Sequence, residues 1–356
     1  METPASKPTS EPSSLNLTTR RERSLYTYII HSVIRPFRSH LGRPKSHQPK
    51  GSITLKPNLY TKRKCNITHR TVCDINVYDL VPKTPTPTQT HSRKSHLYYF
   101  CGGGWQSPPS SQHWQLCVRM ARDLPAMTVS LVSYPLAPKN AAPTAFPWLL
   151  RFYRAILRAA DDMGEKVILA GDSSGANIIL CLTLEALRED SLSHPLSSDD
   201  PEKANTGEDK QEVDLTSKPS HPIALLATCP STDLTRANPS IKKLAPLDPI
   251  LTPDFVNSTA KAWAGEWDAS DPRLSPLNAD ISLLAKSGIA VHGITGGHDI
   301  LSPDGVLLRE KCKEVGVRGE WLHWEKQMHC FVLTAGYGVP EAKEAIDWAM
   351  KVLLEE

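Results

Sequence analysis

The sequence predicts an α/β fold in which a mostly parallel central sheet is flanked by helices. From about residue 53 onward, short apolar runs typical of buried strands alternate with longer segments that have the 3.6-residue periodicity of helices. Such alternation produces parallel strands joined by helical crossovers. The chain has 356 residues and a hydrophobic fraction of 40%, so it can bury a sizeable core.

The predicted elements follow one another in a regular order. Seven strands are predicted from short apolar runs, at 74–80, 97–101, 127–134, 167–170, 223–228, 289–295 and 320–324. Six helices are predicted from apolar residues at helical spacing, at 111–123, 146–160, 176–187, 255–263, 303–315 and 341–354. The last helix illustrates the pattern, because Ala345, Ile346 and Ala349 lie on one face.

The predicted catalytic domain covers 53–356 and is preceded by two short segments. Residues 1–20 are rich in Ser, Thr and Pro and are predicted to be a disordered tail. Residues 21–52 are predicted to be a cap segment. Its apolar stretch at 25–34 precedes a basic turn and is interpreted as a helix over a pocket. Peripheral membrane contact through 25–38 is the alternative, although the stretch offers little apolar area.

Two internal segments depart from the alternating pattern. Residues 189–220 hold almost no large apolar residue and are predicted to be a solvated low-complexity insertion in a surface loop. Residues 232–275 are rich in proline and contain one predicted helix. An excursion of this length between two strands is interpreted as a lid segment.

Composition narrows the class of protein. The net charge of +3 is small for this length, and basic residues are scattered, so we expect no nucleic-acid partner. The eight cysteines include no C-x-x-C pair, which favours a reduced intracellular protein without a zinc site. The sequence shows no signal-peptide pattern and no run of 18 apolar residues. A cytoplasmic or intracellular location is therefore expected, and the oligomeric state is left open.

The five-residue turn from Gly171 to Gly175 is the most informative feature of the chain. It fits G-x-S-x-G, with a predicted strand before it and an apolar-rich helix after it. That context is typical of a nucleophile elbow, in which flanking glycines leave room for a sharp turn. We expect the Ser173 hydroxyl to be the nucleophile and Ser174 to contribute its backbone N–H. A Gly-Ser surface turn is the alternative interpretation.

Three consecutive glycines follow the predicted strand at 97–101. Because glycine has no Cβ, a loop from Gly102 to Gly104 can turn backbone N–H groups towards a negatively charged oxygen. The same three glycines would also suit a flexible turn. Their occurrence in one chain with a nucleophile elbow favours an oxyanion-binding loop.

A serine nucleophile also requires an orienting acid, which we expect at the end of a later strand. Asp299 follows the predicted strand at 289–295. Asp304 is its rival, but it lies where the next helix begins and is better suited to a helix N-terminus. Asp299 is therefore the preferred acid.

The base is expected to be a histidine beyond the acid. His329 lies just past the predicted strand at 320–324, whereas His323 lies within that strand and His298 neighbours the acid. A histidine is by default a surface or hydrogen-bonded core residue. His329 is preferred because the order serine, acid, histidine is the one found in α/β-hydrolases.

Taken together, these motifs resemble those of the hormone-sensitive-lipase-like group of α/β-hydrolases, the alpha/beta hydrolase fold-3 esterases. The resemblance spans roughly residues 70–350 and includes blocks similar to HGGG, YRLAPE, GDSAGG and DPxxSP, with the acid and base blocks. In this sequence the six blocks begin at Tyr99, Ser133, Gly171, Asp271, Gly297 and Met328. The similarity extends most closely to fungal members, some similar to steryl acetyl hydrolases and some associated with secondary metabolism.

The resemblance implies a role for each motif residue and no metal or organic cofactor. The implied nucleophile, acid and base are Ser173, Asp299 and His329, and the implied oxyanion donors are the backbone N–H groups of Gly103, Gly104 and Ser174. Lys139 stands in place of the acidic residue of the YRLAPE block, and two further departures from the group's pattern matter for the site. Cys101 replaces a histidine thought to brace the glycine loop, and Cys330 replaces the glycine after the base.

The predicted function is a serine carboxylester hydrolase that acts on a small or hydrophobic ester through an acyl-enzyme on Ser173. One alternative is an acyltransferase or transesterase of secondary metabolism that uses the same site. Another is a small-ligand receptor on a hydrolase scaffold, against which the presence of His329 argues. A small-molecule ester is the expected partner.

Overall fold

The computed structural model describes residues 15–41, 47–84, 95–193 and 220–356. Its strands are β1 (Leu15–Arg20), β2 (Cys65–Val72), β3 (Ile75–Pro82), β4 (Ser95–Phe100), β5 (Met127–Ser133), β6 (Lys166–Asp172), β7 (Ala224–Thr228), β8 (Ala290–His298) and β9 (Gly319–Met328). All seven predicted strands are present, with boundaries shifted by a few residues. β1 and β2 are additional.

Eleven α-helices connect and cover these strands in the described part of the chain. They are α1 (Leu25–Ile34), α2 (Arg38–Leu41), α3 (Leu59–Lys64), α4 (Ser111–Asp123), α5 (Ala142–Asp162), α6 (Ser174–Ser193), α7 (Ser240–Leu244), α8 (Pro253–Ala264), α9 (Ser282–Lys286), α10 (Ser302–Glu314) and α11 (Pro340–Leu354). Short 3-10 helices occur at Arg35–Phe37, Pro276–Asn278 and Phe331–Tyr337. The six predicted helices correspond to α4, α5, α6, α8, α10 and α11.

The described strands form one sheet in the order β1-β9-β8-β7-β6-β4-β5-β3-β2. In that order, every neighbouring pair from β1 through to β5 is parallel. The pairs β5–β3 and β3–β2 are antiparallel, so β3 alone runs against the other described strands. The predicted α/β architecture with a mostly parallel sheet is therefore confirmed. Because β5 and β6 lie on opposite sides of β4, the strand order reverses there, and a crevice opens at the carboxyl ends of β4 and β6.

The helix α6, which follows the elbow, is buried on all sides in its first half, and this explains the nearly continuous apolar sequence there. Its consecutive residues Ile178, Ile179 and Leu180 are all buried, since α6 packs between the sheet and neighbouring helices. α5 differs, because it buries one stripe through Leu149, Phe152 and other residues at helical spacing.

The prediction of a disordered tail over 1–20 is wrong for residues 15–20, which form β1. This strand pairs in parallel with β9, from Leu15 opposite Gly319 to Arg20 opposite Trp324. Only Leu15 is buried, so the strand is held by backbone pairing at the sheet edge and lacks the apolar pattern of a core strand. Residues 1–14 lie outside the described residues.

The edge strand β2 was also missed from the sequence. Its residues are mostly polar and half-exposed or exposed, because only one side of an edge strand meets the core. Cys73 and Asp74 join it to β3 with φ of 46° and 60°. Positive φ at both turn residues matches the twist of a two-residue hairpin.

The cap and insertion predictions are only partly covered by the described residues. Within 21–52 the structure has α1, a 3-10 turn and α2, while 42–46 lie outside the described residues. Residues 189–193 belong to α6, so the predicted insertion does not begin at 189; 194–219 are not described. In the described ranges, no helix is long and apolar enough to cross a membrane. The expected intracellular location stays a prediction.

Candidate active site

The turn between β6 and α6 places Ser173 at the crevice. Ser173 has φ of 52°, a left-handed conformation that non-glycine residues adopt at a strained elbow. Its backbone N–H donates to the carbonyl oxygen of Thr228 at the end of β7, at 2.9 Å. Gly175 is required because a Cβ there would overlap the carbonyl of Phe100 on the adjacent strand. The fold of the neighbouring strand therefore fixes the elbow.

The structure brings Ser173, His329 and Asp299 into one hydrogen-bonded chain. His329 Nε2 lies 2.9 Å from Ser173 Oγ, and His329 Nδ1 lies 2.8 Å from Asp299 Oδ2. Asp299 directly follows β8 and His329 directly follows β9, so the ends of three parallel strands supply the group. Asp299 is fully buried and His329 is 7% exposed.

The charge of the acid governs the protonation of the histidine. Burial by itself lowers the pKa of His329, but the charge and hydrogen bond of Asp299 outweigh burial and raise that pKa to about 9. The second oxygen of Asp299, Oδ1, accepts a hydrogen bond of 2.8 Å from the backbone N–H of Leu301. The carboxylate is thus fixed on both sides and holds the imidazole in one orientation.

Asp248 is a second buried acid at the site, which sequence reasoning missed. Its Oδ1 accepts from the N–H groups of Ile250 and Leu251, and its Oδ2 accepts from the N–H of Ile300, next to Asp299. Burial and the charge of Asp299 raise the pKa of the Asp248 carboxyl. Its position in the proline-rich excursion gave no sequence signal for this contact.

The glycine loop after β4 lies against the elbow. Gly103 and Gly104 have φ of 130° and 61°, backbone conformations that side-chain-bearing residues rarely adopt. Thr259 and Phe255 of α8 crowd the position where a Cβ of Gly104 would lie. Ser174 begins α6, so its N–H lies in the first turn, where helical N–H groups lack intrahelical partners.

A second buried histidine–aspartate pair, His113 and Asp172, braces the glycine loop. Cys101 stands where the resembling group has a histidine thought to do so. Asp172 Oδ1 accepts from the Gly102 N–H at 2.9 Å and from the Tyr99 hydroxyl at 2.8 Å. His113 Nε2 lies 3.3 Å from Asp172 Oδ2, and its Nδ1 accepts from the Ser110 N–H. Asp172 therefore ties the elbow to the glycine loop.

The electrostatics of this brace favour a charged carboxylate. Burial raises the pKa of Asp172, but His113, the Gly102 N–H and the Tyr99 hydroxyl together hold it below its ordinary value. The carbonyl of Cys101 is fixed separately, because it accepts from the Tyr134 hydroxyl at 2.7 Å. The loop is thus braced without a histidine at position 101.

The rival residues lie in other surroundings. Asp304 accepts from Asn238 Nδ2 at 2.7 Å, near the start of α10. His323 Nδ1 lies 2.9 Å from the Thr295 hydroxyl within the sheet. His298 is the last residue of β8, one residue before the buried acid.

A cavity of about 640 Å³ opens above Ser173 and His329. Its apolar wall is formed by Ile250, Leu251, Phe255, Met328 and Leu333, and its polar wall includes His40, Ser107, Ser110, Gln112, His113, Thr334 and Tyr337. The excursion at 232–275 and the α2 segment both contribute to this lining. The volume lies within the range of small-molecule sites.

A family model described as "alpha/beta hydrolase fold", Abhydrolase_3, matches residues 97–333, which is more than half of the chain. The chain belongs to this alpha/beta hydrolase family. All of the hydrogen-bonded residues Ser173, Asp299 and His329 lie within the matched range.

Relatives of the chain are esterases and lipases. The chain is 26% identical over 251 residues to an esterase of Acinetobacter venetianus, a match that covers 70% of this chain and 71% of that protein. It is 27% identical over 188 residues to the hormone-sensitive lipase of Homo sapiens, covering 51% of this chain and 14% of that protein. The matched half of this chain thus corresponds to a small part of the human lipase.

Solved structures show the same fold. An esterase/lipase from an uncultured bacterium is similar with a TM-score of 0.66 at 19% identity, covering 94% of this chain and 99% of that one. A hormone-sensitive lipase from a metagenome library has a TM-score of 0.63 at 22% identity and covers 90% of each chain. The family and these relatives make the chain an esterase/lipase-type α/β-hydrolase.

Proposed function

We propose that this hydrolase cleaves carboxylic esters through an acyl-enzyme on Ser173. The observation that carries the proposal is the hydrogen-bonded chain from Ser173 through His329 to Asp299 at the floor of an open cavity. A buried acid, an imidazole and a hydroxyl in this order are the parts that nucleophilic acyl transfer requires. The same geometry argues against a receptor that only binds its ligand.

The reaction begins with a neutral His329. Its Nε2 takes the proton of Ser173 Oγ as that oxygen attacks the ester carbonyl, and the resulting imidazolium is stabilised by Asp299. The proton then passes to the leaving alcohol as the ester C–O bond breaks. Water, deprotonated by the same imidazole, attacks the acyl-enzyme and releases the acid and free serine.

The oxyanion formed in each step is proposed to bind backbone N–H groups of Gly103, Gly104 and Ser174. Their place beside the nucleophile supports this role, since Gly103, Gly104 and Ser173 line the same cavity. The N-terminus of α6 adds its positive helix dipole at this point.

The first test is the Ser173→Ala variant assayed on a short p-nitrophenyl ester. We expect kcat to fall by roughly 10⁴- to 10⁶-fold, because a triad loses its nucleophile. Ser174→Ala is the matched control, since it retains its backbone N–H and is expected to lose far less. Equal losses in the two variants, or unchanged turnover of Ser173→Ala, would contradict the assignment.

The proposed substrate is a hydrophobic ester. The apolar wall formed by Ile250, Leu251 and Phe255 supports this choice, because it adjoins the nucleophile and provides no charge for an ionic acyl group. Short acyl esters, sterol acetates and esters of secondary metabolites all fall within this class. Water is the proposed acceptor, and the product ratio in the presence of an added alcohol distinguishes hydrolysis from acyl transfer.

We further propose that α1 and the 3-10 helix that follows it contact a lipid surface beside the cavity mouth. Leu25, Val33 and Phe37 are 73%, 60% and 59% exposed, although the opposite face of α1 is buried. The hydroxyl of Tyr26 donates to the carbonyl of Tyr337, a residue that lines the cavity. Basic residues precede and follow this helix, which suits an anionic surface.

This contact is tested with a Leu25→Ser, Val33→Ser, Phe37→Ser triple variant. We expect wild type to co-sediment with phosphatidylserine-containing vesicles and the variant to lose most of that binding, because the apolar area is removed. Turnover of a monomeric water-soluble ester provides the control for folding. Deleting the first 40 residues is unsuitable, since that would also remove β1. Equal sedimentation of both proteins would contradict the proposal.

A further inference from the structure

Two cysteines and the catalytic histidine form a buried cluster behind the active site. Cys229 follows β7 and Cys330 follows His329, and both cysteines are buried with positive φ. The backbone N–H of Cys330 donates to Cys229 Sγ at 3.2 Å. Each of the three residues offers a ligand atom within 4.8 Å of the other two.

We propose that Cys229, His329 and Cys330 form an inhibitory binding site for a thiophilic divalent cation such as Zn²⁺. Two sulfurs and one imidazole nitrogen are ligands that Zn²⁺ prefers, with water at the fourth position. In a tetrahedral site with Zn–S bonds of about 2.3 Å, two sulfurs lie about 3.8 Å apart. Side-chain movements of about an ångström therefore suffice to close the site.

Metal binding here must stop the reaction, whichever ring nitrogen is used. His329 Nδ1 holds Asp299 and His329 Nε2 holds Ser173, so a cation on either nitrogen displaces one member of the chain. The predicted inhibition therefore depends on the proposed role of His329 as base. The binding of the metal does not depend on that role. The site would make esterase activity depend on free metal concentration.

The cluster is reached from the substrate cavity, since His329 and Cys330 both line its wall. Binding converts two thiols to thiolates, which together neutralise the charge of Zn²⁺, and two protons leave with the exchanged water. Zn²⁺ affinity is therefore expected to increase with pH.

The experiment measures binding and activity separately on the full chain. Equilibrium dialysis with Zn²⁺, and the ultraviolet thiolate band of added Cd²⁺, report binding in wild type, Ser173→Ala, Cys229→Ser and Cys330→Gly. Glycine is chosen at position 330 because the φ there is 49°. The matched control is Cys73→Ser, which removes an exposed thiol in the β2–β3 turn.

We expect one metal per chain in wild type, Cys73→Ser and Ser173→Ala, and at least about tenfold weaker binding once a ligand is lost. Zn²⁺ should inhibit wild type reversibly, with EDTA restoring turnover. Each cysteine variant, compared with its own metal-free activity, should need at least about tenfold more Zn²⁺ for half-inhibition.

Two results would overturn the site. The first is a Cd²⁺–thiolate band or Zn²⁺ stoichiometry that persists in both Cys229→Ser and Cys330→Gly. The second is full ester turnover with one Zn²⁺ bound. Ser173→Ala keeps the tests apart, because its dialysis result decides metal binding even if Ser173 proves not to be the nucleophile.

Discussion

Two histidine–aspartate pairs lie next to Ser173, and their imidazole rings have different second partners. In both pairs the two side chains are buried and an imidazole nitrogen lies within 3.3 Å of a carboxylate. They differ at the second nitrogen of the ring. In His329 it faces the Ser173 hydroxyl, whereas in His113 it accepts the backbone N–H of Ser110.

This difference shows that the pair itself does not define a catalytic residue. The partner of the second nitrogen decides whether the imidazole can take a proton from a reacting group or only holds its neighbours in place. His329 is free to exchange a proton with Ser173. His113 is fixed at the start of α4 and supports Asp172, which in turn holds the Gly102 N–H.

The comparison is tested most strongly by making the same substitution in both pairs. His329→Gln removes the proposed base, so kcat for a p-nitrophenyl ester is expected to fall by roughly 10⁴- to 10⁶-fold. His113→Gln retains an N–H donor for Asp172, so we expect a loss of about tenfold or less, as for one weakened hydrogen bond. Steady-state kinetics on both variants, with thermal unfolding as the folding control, measure the contrast.

Two outcomes would break the distinction between the pairs. If His113→Gln lost as much kcat as His329→Gln while remaining folded, His113 would also take part in proton transfer. If His329→Gln retained most of its activity, the base would have to be sought elsewhere.

A smaller effect is expected from Asp248, on the pH dependence of kcat/KM. Because Asp299 raises the pKa of His329 to about 9, kcat/KM should rise with pH above the ordinary histidine value of about 6.5 as the imidazole loses its proton. The negative charge of Asp248 also raises this pKa. Asp248→Asn should therefore move the rising limb to lower pH.

The measurement is kcat/KM across the alkaline range for wild type and Asp248→Asn. Asn can still accept from the N–H groups of Ile250 and Leu251, but its amide would face the Ile300 N–H, so some stability is lost. A rising limb that stays in place, or moves to higher pH, would show that Asp248 does not influence His329. Asp304→Asn is the matched control, because it also removes a buried carboxylate, but one that accepts a hydrogen bond from Asn238.

Much of the fold was predictable because its strands are buried on both faces. β4, β6 and β7 each contain a continuous apolar run, which is how a central parallel strand appears in a sequence. The edge strands β1 and β2 were not predictable, since polar residues and backbone pairing hold them. The segments 42–46 and 194–219 lie outside the described residues and leave those parts of the cap and insertion as predictions.

The sequence by itself determined the candidates for chemistry at the strand ends: a serine in G-x-S-x-G, three glycines, an acid and a histidine. Each of these residues lies in a short motif that can be recognised from its neighbours in the sequence, because a turn after a strand needs particular residues. Only the tertiary structure decided that Asp172 and His113 brace the loop that lacks a histidine at position 101, and that Asp248 lies beside the acid. Contacts between segments far apart in the chain depend on strand order and packing, which leave no local pattern.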